Sequence, residues 1–261
     1  YMKENFSDYK ERIIITTSVN HGKLKDFAIQ EGLKILSVPE QIGGRYSVFT
    51  SVGLLPIAVS GIDIHQLLEG AKSERNCFDS SKEYALVRKH LEESGRVIEA
   101  VTFYEEKLSS VVSWIQQVLA ETQGKEGKGI LPIINPNTTN LHSIGQYFQE
   151  GRPIIFETVI QIEKMEDIFL EEYHISMNEM NHLVLNQVAI AHKQAALPSI
   201  IITLKDLTPY EIGKLLYFFQ MSAAIGGYLL EVDPFNQPGV EAYKQLVNQE
   251  LSKRNQEENH G

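Results

Sequence analysis

The sequence predicts an α/β protein whose strands are mostly parallel and flanked by helices. Three observations carry this. Short runs of β-branched or apolar residues recur along the chain, as at Ile13–Thr17, Val97–Phe103, Ile154–Ile162 and Ile200–Thr203. Segments with apolar residues at helical spacing alternate with them. Gly or Pro punctuates many of the junctions, as at Gly32, Pro39, Gly151 and Pro209.

Residues 12–17 read as a buried strand, with His21-Gly22 after it. Leu24, Phe27 and Ala28 give a helix over 23–31, which Gly32 stops. Leu33 to Val38 form a second strand, ended by Pro39. The turn Gly43-Gly44-Arg45 follows at the C-terminal end of that strand, where ligands sit in open parallel sheets. A helix then runs from near Ser47 towards Pro56. Residues 63–94 read as mostly helical, with a polar loop from Ser73 to Ser81. Residues 97–103 are a strand.

Leu108, Val111, Val112, Ile115, Val118 and Leu119 fall on one stripe of a long amphipathic helix. The Gly- and Lys-rich stretch Gln123–Gly129 ends it, and Ile130–Ile134 are apolar again. Thr139 or Asn137 is a candidate cap for a helix through Gln149, with Gly151 as its stop. Ile154–Ile162 read as a strand, 163–178 as acidic and irregular, and 179–196 as helix. Ile200–Thr203 are a strand, and Thr208-Pro209 opens a long apolar helix to about Ile225. A last helix is expected from Gly239 to about Lys253, with a disordered polar tail from Asn255 to Gly261.

The bulk numbers narrow the function. A chain of 261 residues with 43% hydrophobic and 22% charged residues is ordinary for a folded globular protein. A net charge of -10 argues against a nucleic-acid or anionic-membrane surface. It also means that a phosphate would have to be held by local groups. The single cysteine, Cys77, excludes an internal disulfide and a thiolate cluster. No apolar run is long enough to span a bilayer, and a cytoplasmic protein is expected.

Four places carry polar residues worth a chemical reading. Gly43 and Gly44 are suited to unusual backbone angles and to close approach of a ligand, and Arg45 offers a fixed fork of donors for an oxyanion. Gln117 and Glu121 are four apart and share a helix face, opposite the apolar stripe; the wheel alone points them at solvent. His142 falls in the first turn of its expected helix, where the dipole disfavours a charged imidazole; from spacing alone it reads as an ordinary exposed histidine. Lys244 projects among Val240, Val247 and Leu251 of the last helix, where a lysine must snorkel or meet an anion, and Gln237 lies two turns earlier on nearly the same face. The other histidines (His21, His65, His90, His174, His182, His192 and His260) read as structural or surface groups. No pair has convincing metal-ligand spacing.

Read in context, these segments resemble the phosphoglucose isomerase family. Residues 40–53, Glu-Gln-Ile-Gly-Gly-Arg-Tyr-Ser-Val-Phe-Thr-Ser-Val-Gly, look like its first signature. Glu121-Thr-Gln-Gly-Lys125 resembles its Glu-Ser-x-Gly-Lys segment. Asn140–Gly151 is similar to the segment with its ring-opening histidine, and Phe235–Lys244 looks like its second signature, with Asn236 in place of the usual aspartate. The four occur in the family's order.

The resemblance implies sugar-isomerase (SIS) domains, each a three-layer αβα sandwich with a parallel sheet. It implies interconversion of glucose 6-phosphate and fructose 6-phosphate, without cofactor or metal, in a homodimer whose histidine comes from the neighbouring subunit. Carried over, Glu121 is the base, His142 and Lys244 assist ring opening, and Arg45 stabilises the enediolate. Gln117, Gln237 and Gly44 contact or orient the substrate.

One departure stands out. The family's Ser/Thr-rich phosphate loop, of the type Ser-Lys-x-x-Thr-Thr, does not occur in these residues. Residues 1–55 are therefore expected to be the later half of the smaller domain, 56–232 the large domain, and 233–261 a C-terminal arm, with an N-terminal piece missing. Two alternatives stay open: a catalytically inert C-terminal fragment, and a sugar-phosphate-binding protein without turnover.

Overall fold

The computed structural model describes residues 1–18, 20–166 and 168–258. Two single-turn helices, α1 (Met2–Asn5) and α2 (Tyr9–Arg12), precede β1 (Ile14–Ser18). Then come α3 (Lys23–Glu31), β2 (Lys34–Val38), a 3₁₀ turn at Gly44–Phe49, α4 (Ser51–Val59), α5 (Ile64–Arg75) and α6 (Phe78–Glu93). The next stretch holds β3 (Ile98–Phe103), α7 (Ser109–Gln123), β4 (Leu131–Pro136), a 3₁₀ turn at Thr139–His142, α8 (Gly145–Glu150) and β5 (Ile155–Ile162). The two-residue strands β6 (Phe169–Leu170) and β7 (Ile175–Ser176) lead into α9 (Met177–Gln194), β8 (Ser199–Leu204), α10 (Pro209–Leu229) and α11 (Pro238–Glu258).

The chain forms two compact units. One comprises residues 1–78, 162–166 and 204–220; the other holds 79–161, 168–203 and 221–258.

In the first unit β1 and β2 pair in parallel, Ile14 opposite Lys34 and Ser18 opposite Val38. No residue of either strand is fully buried. Gly32 ends α3 in the left-handed conformation, as its place in the sequence predicts. Helices α5 and α10 cross where each has a glycine. A Cβ at Gly70 would lie 1.9 Å from the Tyr210 carbonyl oxygen, and one at Gly213 2.0 Å from that of Leu67, so no larger residue fits either position.

The second unit is built on a four-stranded sheet of order β4-β3-β5-β8. β3 runs parallel to both neighbours, Ile98 facing Leu131 on one side and Ile155 on the other. Central position explains composition. Ala100, Val101 and Phe103 of β3 and Phe156, Val159 and Ile160 of β5 are buried, whereas the β8 edge leaves Ile201 exposed. The predicted stripe on α7 is the face against the sheet: Leu108, Val112, Ile115, Val118 and Leu119 have no exposed surface. At about 25 cal/mol per Å² of buried apolar surface, such a stripe is a main stabiliser of the unit.

Several expectations are corrected. The polar loop at Ser73–Ser81 shrinks to Asn76-Cys77, because α6 begins at Phe78 and its Ser81 and Tyr84 pack inwards. The helix expected from Ser47 starts with a 3₁₀ turn, and α4 follows with a cap from Thr50, whose Oγ1 accepts from the Val52 amide. The helix expected to start at Thr139 or Asn137 is broken into a 3₁₀ turn and α8, and neither part has a side-chain cap. Residues 163–178 contain an antiparallel two-strand ladder. Helix α11 continues to Glu258, past the expected start of a tail at Asn255; residues 259–261 lie outside the described residues.

Candidate active site

Glu121 lies one turn from the end of α7. It is half-buried, and its Oε1 accepts a hydrogen bond from Gln117 Nε2 at 3.1 Å. The wheel's expectation of a solvent-facing pair therefore holds for Gln117 alone, which is exposed. A cavity of about 250 Å³ adjoins Glu121. Glu121 and Lys125 line one part of it, and Gln237, Gly239 and Val240, where α11 begins, line another. One carboxylate, one amide and one ammonium thus border a space large enough for a small polar molecule.

The end of α7 is fixed from beneath by residues that sequence reasoning passes over. Gln123, two places beyond Glu121, is buried; its Oε1 accepts from Arg88 Nη1 at 2.5 Å and its Nε2 donates to the Ala223 carbonyl at 3.1 Å. Gly226 leaves room for that amide, since a Cβ there would stand 2.2 Å from Gln123 Nε2. Arg88 in turn donates from Nε to Glu99 Oε2 at 2.8 Å, and Glu99 Oε1 accepts from Tyr84 and, at 2.6 Å, from Thr158. Burial, reinforced by the Glu99 charge, pushes the Tyr84 hydroxyl well above the usual phenol range. The clue in the sequence is a charged residue inside an apolar strand, Glu99 in Val97–Phe103.

After Gln123 the chain turns through a loop whose Glu126, Gly127 and Gly129 all have positive φ. Gly129 cannot be replaced there: a Cβ would lie 2.5 Å from the Gln123 carbonyl oxygen.

His142 is exposed and ends the 3₁₀ turn after β4. Helix α8 begins three residues later, so His142 is not in its first turn, contrary to expectation. A chain of side chains ties this turn to the sheet. Asn140 Nδ2 donates to Asn135 Oδ1 (3.0 Å), Asn135 Nδ2 to Thr102 Oγ1 (2.9 Å), and Thr102 Oγ1 to Glu157 Oε1 (3.0 Å). Glu157 Oε2 meets His192 Nδ1 at 2.6 Å, both side chains buried. His192 is thus a core histidine, as expected. Beside the same turn Asn137 Nδ2 donates to the Tyr104 hydroxyl at 3.1 Å. Burial, against that hydrogen bond, pushes the Tyr104 hydroxyl up to about 12.

Glu121 and His142 stand at opposite ends of the sheet. β3 and β4 are parallel, and α7 returns between them, so α7 ends beside the start of β4 while His142 follows its finish. The six residues of β4 span about 20 Å. Within one copy the two side chains are not brought together.

Lys244 and Gln237 belong to α11 and the segment before it. Gln237 is half-buried at the cavity; Lys244 is exposed. Past Val240, which lines the cavity, the stripe is largely exposed: Val247 and Leu251 are 54% and 53% exposed, and their neighbours Tyr243 and Leu246 are exposed too. Lys244 thus sits on an exposed face, contrary to the sequence argument.

Gly44 and Arg45 lie in the first unit. Arg45 is buried, 1% exposed, with its guanidinium carbon 5.3 Å from the centre of the Tyr46 ring. Ser47 Oγ donates to the Gly44 carbonyl at 2.7 Å, and Gln220 Nε2 to that of Tyr46 at 3.1 Å, which fixes the turn. Gly43 has an ordinary extended conformation, φ -66°, and Gly44 is not among the glycines with positive φ. The expected conformational reason for two glycines is corrected. What Gly44 provides is open space, with no atom within 4 Å of where a Cβ would stand.

No group of three or more His, Cys, Asp or Glu suited to a metal ion occurs among the described residues. None of the described helices is long and apolar enough to cross a membrane. Cys77, the single cysteine, is exposed.

The class is that of parallel α/β proteins, here with an amide-held carboxylate on a cavity wall. Comparison with known proteins makes it particular. The phosphoglucose isomerase family model matches residues 2–165 and 164–261, and the chain belongs to that family. It is 40% identical over 254 residues to glucose-6-phosphate isomerase of Caldanaerobacter subterraneus subsp. tengcongensis, covering 90% of this chain and 56% of that protein. It is 42% identical over 258 residues to glucose-6-phosphate isomerase of Symbiobacterium thermophilum, covering 90% and 57%. The chain thus spans little more than half the length of these curated relatives. Among solved structures, a hypothetical protein from Thermus thermophilus superposes with a TM-score of 0.88 at 26% identity, over 95% of this chain and 65% of that one. A glucose-6-phosphate isomerase from Chlamydia trachomatis shares the fold, with a TM-score of 0.80 at 20% identity, over 98% and 55%.

Proposed function

We propose that this chain carries the acid–base half of an aldose–ketose isomerase that interconverts glucose 6-phosphate and fructose 6-phosphate. The observation that carries the reading is Glu121, half-buried, held by Gln117 and facing a cavity shared with Gln237, in a chain of the phosphoglucose isomerase family. In the aldose-to-ketose direction the Glu121 carboxylate takes the proton from C2 and returns it to C1. The intermediate is a cis-enediolate, the hydroxyl proton passes from O2 to O1, and the carboxylate ends as it began. His142 and Lys244 move the proton at the ring oxygen during opening, and Arg45 faces the negative charge that develops. Gln117 and Gln237 orient the sugar, and the open space at Gly44 admits it. No cofactor or metal is called on.

The same reading makes residues 1–55 the later half of a smaller sugar-isomerase domain, 56–232 the large domain and 233–261 an arm. It makes the working form a homodimer, because Glu121 and His142 stand a strand's length apart and a second copy can supply the missing partner. A single, exposed cysteine and a sugar-phosphate substrate agree with the cytoplasm.

The decisive experiment is a coupled isomerase assay on the full-length protein and its Glu121→Gln variant. Turnover in the wild type, with a loss of about 10²–10⁴-fold in kcat and little change in substrate affinity in the variant, is the expected result. Near-wild-type turnover in the variant would remove Glu121 from the role of base. An inactive full-length protein that still binds fructose 6-phosphate would make the chain a binding protein.

A further inference from the structure

The Gly- and Lys-rich loop Gly124–Gly129 has no part in the proton transfers above, yet its two lysines reach the same short segment. Lys125 Nζ donates to the Asp233 carbonyl and, at 2.7 Å, to that of Asn236. Lys128 Nζ donates to the Leu230 carbonyl at 2.9 Å, just past the end of α10. The segment also folds on itself locally: the Phe235 amide donates to Asp233 Oδ1 at 2.8 Å, and the Val240 amide to the Gln237 carbonyl at 3.1 Å. Residues 230–236 thus curl over two ammonium groups, and the next residue is Gln237. An ammonium has three donors and no acceptor, so it can gather several carbonyls at one point, as no neutral side chain of that length can. The loop that presents them is set by the left-handed residues Glu126, Gly127 and Gly129. Its start is set by the buried Gln123.

We propose that Lys125 is a positioning residue for Gln237, with Lys128 as a second anchor. Lys125 lines the cavity four residues after Glu121, and Gln237 lines another part of the same cavity, just beyond the segment that Lys125 holds. The lysine therefore couples the carboxylate of α7 to the amide that precedes α11. Without it the carbonyls of Asp233 and Asn236 lose this donor, and Gln237 loses its fixed place relative to Glu121. The proposal rests on the isomerase reading for its kinetic consequence, and on geometry alone for its structural one.

The test uses the full-length protein with Lys125→Met, Gln237→Ala and the double variant. Lys125→Met is expected to lower kcat/KM about 10- to 100-fold, in the range that a small misplacement of a site residue costs. In the double variant the loss should match that of Gln237→Ala alone, since a group acting through Gln237 has nothing left to place. Additive losses, or unchanged kinetics in Lys125→Met, would overturn the proposal. Amide hydrogen exchange is the second readout. Exchange at the amides of Gln237, Gly239 and Val240 should speed up in Lys125→Met and stay close to wild type in Lys125→Arg, which keeps a charged donor. Unchanged exchange in Lys125→Met would overturn the proposal even if activity fell. If the wild-type protein proves inactive, the isomerase reading fails and the exchange result alone decides on Lys125. Should Lys125→Met fail to fold, Lys125→Gln is measured in the same way with the same outcomes.

Discussion

Two tyrosines show what burial does to single groups in this protein. Tyr104, beside the turn that carries His142, ionises only near pH 12, and burial together with Glu99 raises Tyr84 well above the usual range. In the unfolded chain both return to about 10. A folded pKa above the unfolded one gives stability that is fully present below pH 10 and is lost as pH rises towards the folded value. Stability should therefore fall between about pH 10 and 12, and less steeply in Tyr104→Phe. A spectrophotometric titration of phenolate checks this: the Tyr84 phenolate should appear only as the protein unfolds. Neither shift is legible in the sequence, where Tyr84 stands just past a stretch with the composition of a polar loop. Arg45 is legible as a donor after two glycines. Its burial is not, because a basic residue in a Gly-rich turn ordinarily faces solvent.

Among the elements, β3 and α7 show how far sequence patterns reach. The apolar stripe of α7 is one run at helical spacing, and each of its inward residues except the half-buried Val111 has no exposed surface. The polar interior of the same layer has no period to betray it. Glu99, Arg88, Gln123, Thr158 and Tyr84 come from four elements and meet only in the fold. The Arg88–Glu99 pair is expected to be costly to break, because Glu99→Gln leaves a buried guanidinium without its counter-charge. A loss of about 3–5 kcal/mol is expected. Denaturant unfolding should show it as a lower midpoint at unchanged slope. The helix boundary near Thr139 escapes the sequence for a similar reason: local residues resemble a cap, while Asn140 is tied to Asn135 of β4.

At the scale of the whole molecule, the position of His142 decides what an assembly must do. On the isomerase reading each site draws Glu121 from one copy and His142 from another. Two full-length variants, Glu121→Gln and His142→Gln, should each be nearly inactive. Mixed, unfolded and refolded together, they should recover about a quarter of wild-type activity, since half the dimers are mixed and each mixed dimer holds one intact site. No recovery on mixing would place both groups in one copy and overturn the shared site.

On the same reading, the return of α7 along the sheet has a consequence for the life of the chain. A lone copy is silent by construction: no loop motion closes a gap as long as a strand. Such a protein needs no inhibitor and no propeptide to stay quiet while it is being made. Assembly itself is the switch, and the concentration of the chain sets when it turns on.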